Sequence, residues 1–231
     1  RKVWGDIPIV LCAQEDYLDS YEAYIHRQPS TPEERTPLSY LVDPYNLVYL
    51  YADLYIPENI RLMKQMIPGM KEFIFIGDGR KVNQDNSVLI EQELNTKYPD
   101  IKYKFWSAEN MTTNQLLDSL YFVDTKTTGV LFASWFYKYA FAGTNSHKLI
   151  AATSVPIFSL SMVNIASGKE GMLGGYTYNQ DRYDAALIQT ISDVLKDKQA
   201  RHIPCYIPTD GAPVINYEIL VRDGLSLSTC P

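Results

Sequence analysis

The sequence has no GxxxxGK[ST] phosphate loop, no GxSxG elbow and no HExxH pair. Those absences remove the commonest signs of nucleotide hydrolysis, serine hydrolysis and zinc-dependent proteolysis. The 3 histidines, His26, His147 and His202, lie in unrelated segments. No metal-ligand spacing includes them, so they read as solvated or capping residues. The 3 cysteines, Cys12, Cys205 and Cys230, form no CxxC. An odd count allows one disulfide at most, or three free thiols, and their setting reads as incidental or buried. No apolar run approaches the ~20 residues that span a bilayer. A basic surplus is missing too: 21 Lys and Arg against 27 Asp and Glu give a formal charge of -6. With its basic residues scattered, the chain lacks the electrostatic footprint of a nucleic-acid binder. No leader-like stretch opens it, and a start at Arg1 reads as a cut from a longer polypeptide. Asn110-Met111-Thr112 matches a glycosylation triplet, a pattern too frequent by chance to carry weight.

What is present is an ordinary globular composition, 46% hydrophobic and 21% charged, over a length that can bury a core. The 18 tyrosines stand out. An apolar ring with a polar tip suits partly wet clefts and interfaces.

From residue 71 onward the pattern is regular. Glu72–Ile76, Ile101–Phe105, Gly129–Ala133 and Val155–Leu160 are predicted strands, mostly continuous in apolar character, as expected when both faces of a sheet are covered. Helical patterns fill the gaps. Ile90, Leu94 and Tyr98 fall on one face, as do Leu116, Leu117, Leu120 and Tyr121 behind Thr112 or Thr113 as N-cap. A shorter helix is predicted near His147–Ala152. The clearest spans Gln180–Lys198, with Asn179 as cap and a stripe of Tyr183, Leu187, Ile191, Val194 and Leu195. Repeated β-α units of this length predict a parallel sheet with right-handed crossovers.

The first 70 residues differ. Ile7–Cys12 reads as a buried strand and Leu47–Tyr51 as another. Pro57 opens a helix with Ile60, Met63 and Ile67 on its apolar face, ended by Pro68-Gly69. Two strands are too few for an independent sheet, whereas Val214–Ile215 and a helix from near Asn216 return the chain at its far end. The expected organisation is α/β with two lobes. Residues 1–70 plus 204–231 make a first lobe short of strands, as though N-terminally truncated, and residues 71–203 make a second.

The segment "KEFIFIGDGR", residues 71–80, delivers Gly77-Asp78-Gly79 from a buried strand to a sheet edge. Later strands end in Trp106-Ser107, Ser134-Trp135-Phe136, and Ser159 with Ser161. In open α/β sheets ligands bind outside the carboxyl ends of the strands. Hydroxyls and aromatic planes without a nucleophile–base pair suit holding a ligand rather than transforming it. Asp78 and Glu109 could be paired as acid and base, but Asp between two glycines is common turn chemistry. The glycines at 171, 174 and 175 are spaced GxxGG, without the turn of a dinucleotide site, and read as turns.

Several stretches resemble ABC-transporter-type substrate-binding proteins of the periplasmic-binding type 1 fold. These are "PENIRLMKQMIPGMKEFIFI", "TGVLFASW", "VPIFSL", "GMLGGYTYNQDRYDAALIQTISDVLKDK" and "VINYEILVRDGLSLS". The resemblance covers most of residues 45–228, by order of elements more than by identity. It implies a two-lobed clamshell without catalysis or cofactor, holding a small organic ligand. Carried over by position, the ligand-binding residues are Asp78, Ser134, Trp135 and Ser159. Ala133-Ser134-Trp135 departs from the Thr-Asp-Asn frequent in the family, which leaves the ligand unspecified. Similar domains serve as extracytoplasmic sensors, so the expected partner is a membrane-linked histidine kinase module or, alternatively, an ABC permease. The expected location is periplasmic, tethered to the membrane in the longer protein. Other readings are a flavodoxin-like enzyme and an interaction domain that forms a homodimer.

Overall fold

The computed structural model describes residues 6–26, 28, 30–136, 146–166, 168–197, 199–208 and 210–225. The chain divides into two compact units, one of residues 1–54 and 178–212, the other of residues 55–177 and 213–231.

The first unit opens with β1 (Ile9–Ala13), β2 (Tyr17–Leu18), α1 (Tyr21–His26), β3 (Thr36–Pro37), α2 (Val42–Tyr45) and β4 (Leu47–Tyr51). β1 and β4 pair in parallel, from Ile9 with Leu47 to Ala13 with Tyr51. Leu47, Val48, Tyr49 and Leu50 of β4 are buried. β1 is not the buried strand its composition predicts: Ile7 and Ile9 are 55% and 39% exposed. The reason is that β1 has a neighbour on one side only among the described residues, so its apolar run lacks the double cover of an interior parallel strand.

The second unit begins at α3 (Ile56–Met66), which buries Ile60 and Met63 and stops before Pro68. There follow β5 (Glu72–Gly77), α4 (Lys81–Lys97), β6 (Lys102–Ser107), α5 (Thr113–Tyr121), β7 (Thr128–Phe132), α6 (Ser146–Ala151), β8 (Ile157–Ser159), α7 (Met162–Ile165) and β9 (Gly174–Tyr178). Thr112 caps α5 in a reciprocal capping box with Gln115. Then α8 (Gln180–Asp197) belongs to the first unit, and β10 (Gly211–Ile215) leads to α9 (Tyr217–Arg222), capped by the Asn216 side chain.

The sheet runs β10-β9-β8-β7-β5-β6, with β5 through β9 paired in parallel. Phe73, Ile74, Phe75 and Ile76 of β5 are fully buried. On one side Ile74 and Ile76 pack with Val130, Phe132, Leu116, Leu120 and Ile157 in a single cluster. All four strands predicted between residues 72 and 160 form, each within two residues of its expected start.

In the first unit α8 covers β4, packing Tyr183 and Leu187 around Leu50, and Val194 against Val48. Asn179 caps it, accepting from the Arg182 N–H at 3.1 Å. Its predicted apolar stripe is only half used, because Ile191 and Leu195 are 43% and 73% exposed. A two-stranded sheet is too narrow to cover so wide a stripe.

Candidate functional site

Strand order singles out one position at the carboxyl edge of the second unit. From β5 the chain moves outward to β6, then crosses back over β5 to β7 and continues to β8. The order reverses between β5 and β7, and at such a switch point the loops after the two strands part to opposite faces and leave a crevice.

Register fills that point with Asp78 and Ser134. Ile76 pairs with Phe132, and the Ala133 N–H donates to the Ile76 carbonyl at 3.0 Å, so residues 78 and 134 stand level, two residues beyond that pair. The Ser134 hydroxyl donates to Asp78 Oδ2 at 2.9 Å. Arg80 completes the group. Its backbone N–H and its Nε donate to Asp78 Oδ1 at 3.0 and 2.9 Å, and Nη2 donates to Oδ2 at 3.0 Å. Nη2 also donates to Ser134 Oγ at 2.7 Å, as does Asn83 Nδ2 at 2.8 Å. The guanidinium lies 4.4 Å from the centre of the Phe136 ring.

Asp78 is 1% exposed. Burial acts to raise its pKa, but the Arg80 side-chain and backbone N–H groups, the Ser134 hydroxyl and the guanidinium charge outweigh it. The carboxyl is held below its ordinary value. Asp78 is therefore an ionised, saturated acceptor, and a general acid or base is not what this geometry provides. The Glu109 carboxyl group lies against Gly79, where an added Cβ would come within 2.7 Å of it.

Ser159 is fully buried and serves its own turn, accepting from the Ser161 N–H at 3.1 Å and Asn164 Nδ2 at 3.0 Å. It pairs with Phe132, which pairs with Ile76. That places it two residues, ~7 Å, short of the level of Asp78. The structure thus brings Asp78 and Ser134 together and leaves Ser159 one tier lower. Trp135 takes the opposite face. It is 3% exposed, packs in the core with Ile74, Leu116 and Ile150, and donates its indole N–H to Thr113 Oγ1 at 3.1 Å. Strand alternation carries Trp135 inward when Ser134 faces the crevice.

Sequence reasoning missed Arg80 and Asn83, and noted Phe136 at a strand end without placing it among the ligand-binding residues. A signal was present: α4 starts with a polar run, and Lys81, Asn83, Asp85, Asn86 and Ser87 are all buried. A helix that hides polar residues in its first two turns is serving something other than a core.

No protein-family model matches the chain, and no curated protein matches its sequence. Solved structures do match. An ABC domain from Streptococcus pneumoniae, solved in complex with L-Trp, superposes with a TM-score of 0.58 at 14% identity, over 78% of this chain and 60% of that one. A conserved domain protein from Vibrio cholerae gives 0.59 at 12% identity, over 79% and 60%. The open, ligand-free structure of CD0873 from Clostridium difficile, a substrate binding protein with adhesive properties, gives 0.54 at 14%, over 79% and 60%. This chain spans 60% of the length of each. The fold is mixed α/β with a mostly parallel sheet, the fold of periplasmic-binding type 1 proteins.

Proposed function

We propose that this chain is the ligand-holding part of an extracytoplasmic solute-binding protein that takes up a small organic molecule and presents it to an ABC permease. The observation that carries the reading is the polar group at the switch point between β5 and β7. There Asp78, Ser134, Arg80 and Asn83 are knit into one hydrogen-bonded group at the position where α/β sheets hold ligands. Among the described residues no nucleophile–base pair accompanies them, so the arrangement is suited to binding rather than turnover. In this reading Asp78 and Ser134 build the site, Ser159 shapes its lower tier, and Trp135 walls it off from the core side. The likeness to a substrate binding protein favours delivery of a solute over the histidine-kinase sensor role that the sequence also suits.

A thermal-shift screen with amino acids, sugars and small organic acids, L-Trp included, tests the reading. A ligand at a hundred times its Kd adds ~2.7 kcal/mol, which raises Tm by about 5–10 °C in a chain of this size. Turnover of a panel member would replace the reading with an enzyme. Concentration-dependent dimerisation with no shift from any compound would replace it with an interaction domain.

A further inference from the structure

We propose that the switch-point site recognises an anionic group, a carboxylate, through the outer nitrogen of Arg80 backed by Phe136. The proposal rests on the ligand-binding role above and reassigns the contacts within it.

Counting donors and acceptors leads there. Asp78 accepts four hydrogen bonds, two on each oxygen, three from Arg80 and one from Ser134. A carboxylate has about four acceptor positions, so Asp78 has none left for a solute. The Ser134 hydroxyl spends its proton on Asp78 and accepts from Arg80 and Asn83, which uses all it has. The residues that look like solute contacts are therefore the frame. What they hold is Arg80. Of its five N–H groups, the one on Nε and the two on Nη2 are committed to Asp78 and Ser134. The two on Nη1 make no hydrogen bond among the described residues.

Three further features direct those two groups outward. The Arg80 side chain is 51% exposed although the carboxylate it grips is 1% exposed. The guanidinium carbon lies over the ring of Phe136, itself 41% exposed, at 4.4 Å from its centre, a cation–π contact that helps hold the group in place. Arg80 also stands immediately before the 17 residues of α4, whose N-terminal end favours negative charge. A guanidinium keeps its charge at any accessible pH, and its strongest acceptors are carboxylates and phosphates. Because Asp78 and Ser134 occupy the Nε/Nη2 edge, an incoming carboxylate meets Nη1 alone and accepts through one oxygen rather than in a two-pronged fork. Arg80 and Phe136 are the contacts, and Asp78, Ser134 and Asn83 are positioning residues that act through Arg80.

The test uses calorimetry and thermal shift on the full chain at pH 7. The probes are the proteinogenic amino acids with their primary amides, and phenylacetate, 3-phenylpropionate and succinate with theirs, alongside inorganic phosphate. Binders confined to carboxylates, each at least about tenfold tighter than its amide, support the proposal. Binding by amides or sugars as tight as by carboxylates overturns it and leaves the ligand-binding role standing. Phosphate bound more tightly than every carboxylate overturns the choice of anion. A panel with no binder removes the proposal together with the role it rests on. Arg80→Gln alone strands a buried carboxylate, so the deciding variant is Arg80→Gln with Asp78→Asn, which removes both charges and keeps hydrogen-bonding side chains. It is expected to unfold cooperatively, as the wild type does, and to lose carboxylate affinity about tenfold or more. Unchanged carboxylate affinity in that variant overturns the proposal. Arg80→Lys, which keeps the charge without the fork, is expected to recover part of the loss and to show the steeper dependence on salt of a less oriented cation.

Discussion

Asn59 and Tyr176, 117 positions apart, exchange a pair of hydrogen bonds: Tyr176 N–H donates to Asn59 Oδ1 at 2.8 Å, and Asn59 Nδ2 donates to the Tyr176 carbonyl at 2.9 Å. The side-chain amide stands in for a neighbouring strand's backbone. Nδ2 also donates to the Tyr55 carbonyl at 3.1 Å, so one fully buried amide ties the start of α3 to β9. Tyr55 sits in the left-handed region, φ 49°, and its ring packs on that of Tyr176 at 5.2 Å. Asn59→Ala leaves backbone groups without partners, and we expect a loss of about 2–4 kcal/mol in urea unfolding. Asn59→Asp should recover little, since a carboxylate oxygen would face two carbonyls. Near wild-type stability for the alanine variant would show that the amide is dispensable.

Trp135 is expected to report on stability more than on affinity. Its indole fills the core behind the crevice, and Trp135→Ala should cost about 3–5 kcal/mol. Trp135→Phe keeps most of the apolar volume and gives up the bond to Thr113, a loss of about 1–2 kcal/mol. If instead the alanine variant unfolds like the wild type while solute binding disappears, Trp135 is a direct contact.

Asp78 sets a pH dependence whose direction is defined. Its pKa in the folded protein lies below the ordinary value, about 3.9 in an unfolded chain. Its contribution is therefore complete above about pH 4 and is lost as the pH falls through the depressed folded value. Comparing wild type with Asp78→Asn from pH 7 to pH 3, the stability gap should be widest at neutral pH and should close in acid. A gap that stays constant over the range would mean that the carboxylate is not ionised when folded.

Two glycines of the second unit should respond unequally to alanine. A Cβ on Gly175 would lie 2.1 Å from the Ser159 backbone carbonyl, and neither strand can yield without breaking the β8–β9 pairing. Gly175→Ala should cost about 3 kcal/mol or more. At Gly79 the obstacle is the Glu109 side chain at 2.7 Å, which can swing aside, so the cost should be about 1 kcal/mol. Equal Tm values for the two variants would contradict this ordering.

How far sequence carried the reading depends on what each residue answers to. Phe73–Ile76 and Val130–Phe132 declare themselves because a strand covered on both faces must be apolar throughout. Asn179, and Thr112 as one of two adjacent candidates, were legible as caps because capping chemistry is local. The exposed half of α8 was not, since Ile191 and Leu195 are apolar whether or not a sheet is wide enough to cover them. At the candidate site, Asp78 and Ser134 could be placed at strand ends. Their mutual bond could not be foreseen, because it depends on the β5–β7 register. Arg80 escaped notice for a related reason: an arginine after Asp-Gly reads as turn chemistry until Ser134, 54 residues on, closes over it.

The two outer strands of the six-stranded sheet have a consequence for life at high concentration. A sheet edge is a template on which another chain can grow, a hazard that rises with concentration. β6 meets it with Lys102 and Lys104 on the outermost strand, the second paired with Glu72 at 2.7 Å. At the opposite border β10 carries Pro213 at its centre, where an N–H would otherwise be offered. Growth of the sheet is thus discouraged at both borders by different means, charge at one and a missing donor at the other. Replacing Lys102 and Lys104 by valine should leave the monomer folded yet make it form thioflavin-positive fibres on standing, whereas either single replacement leaves one charge to prevent them.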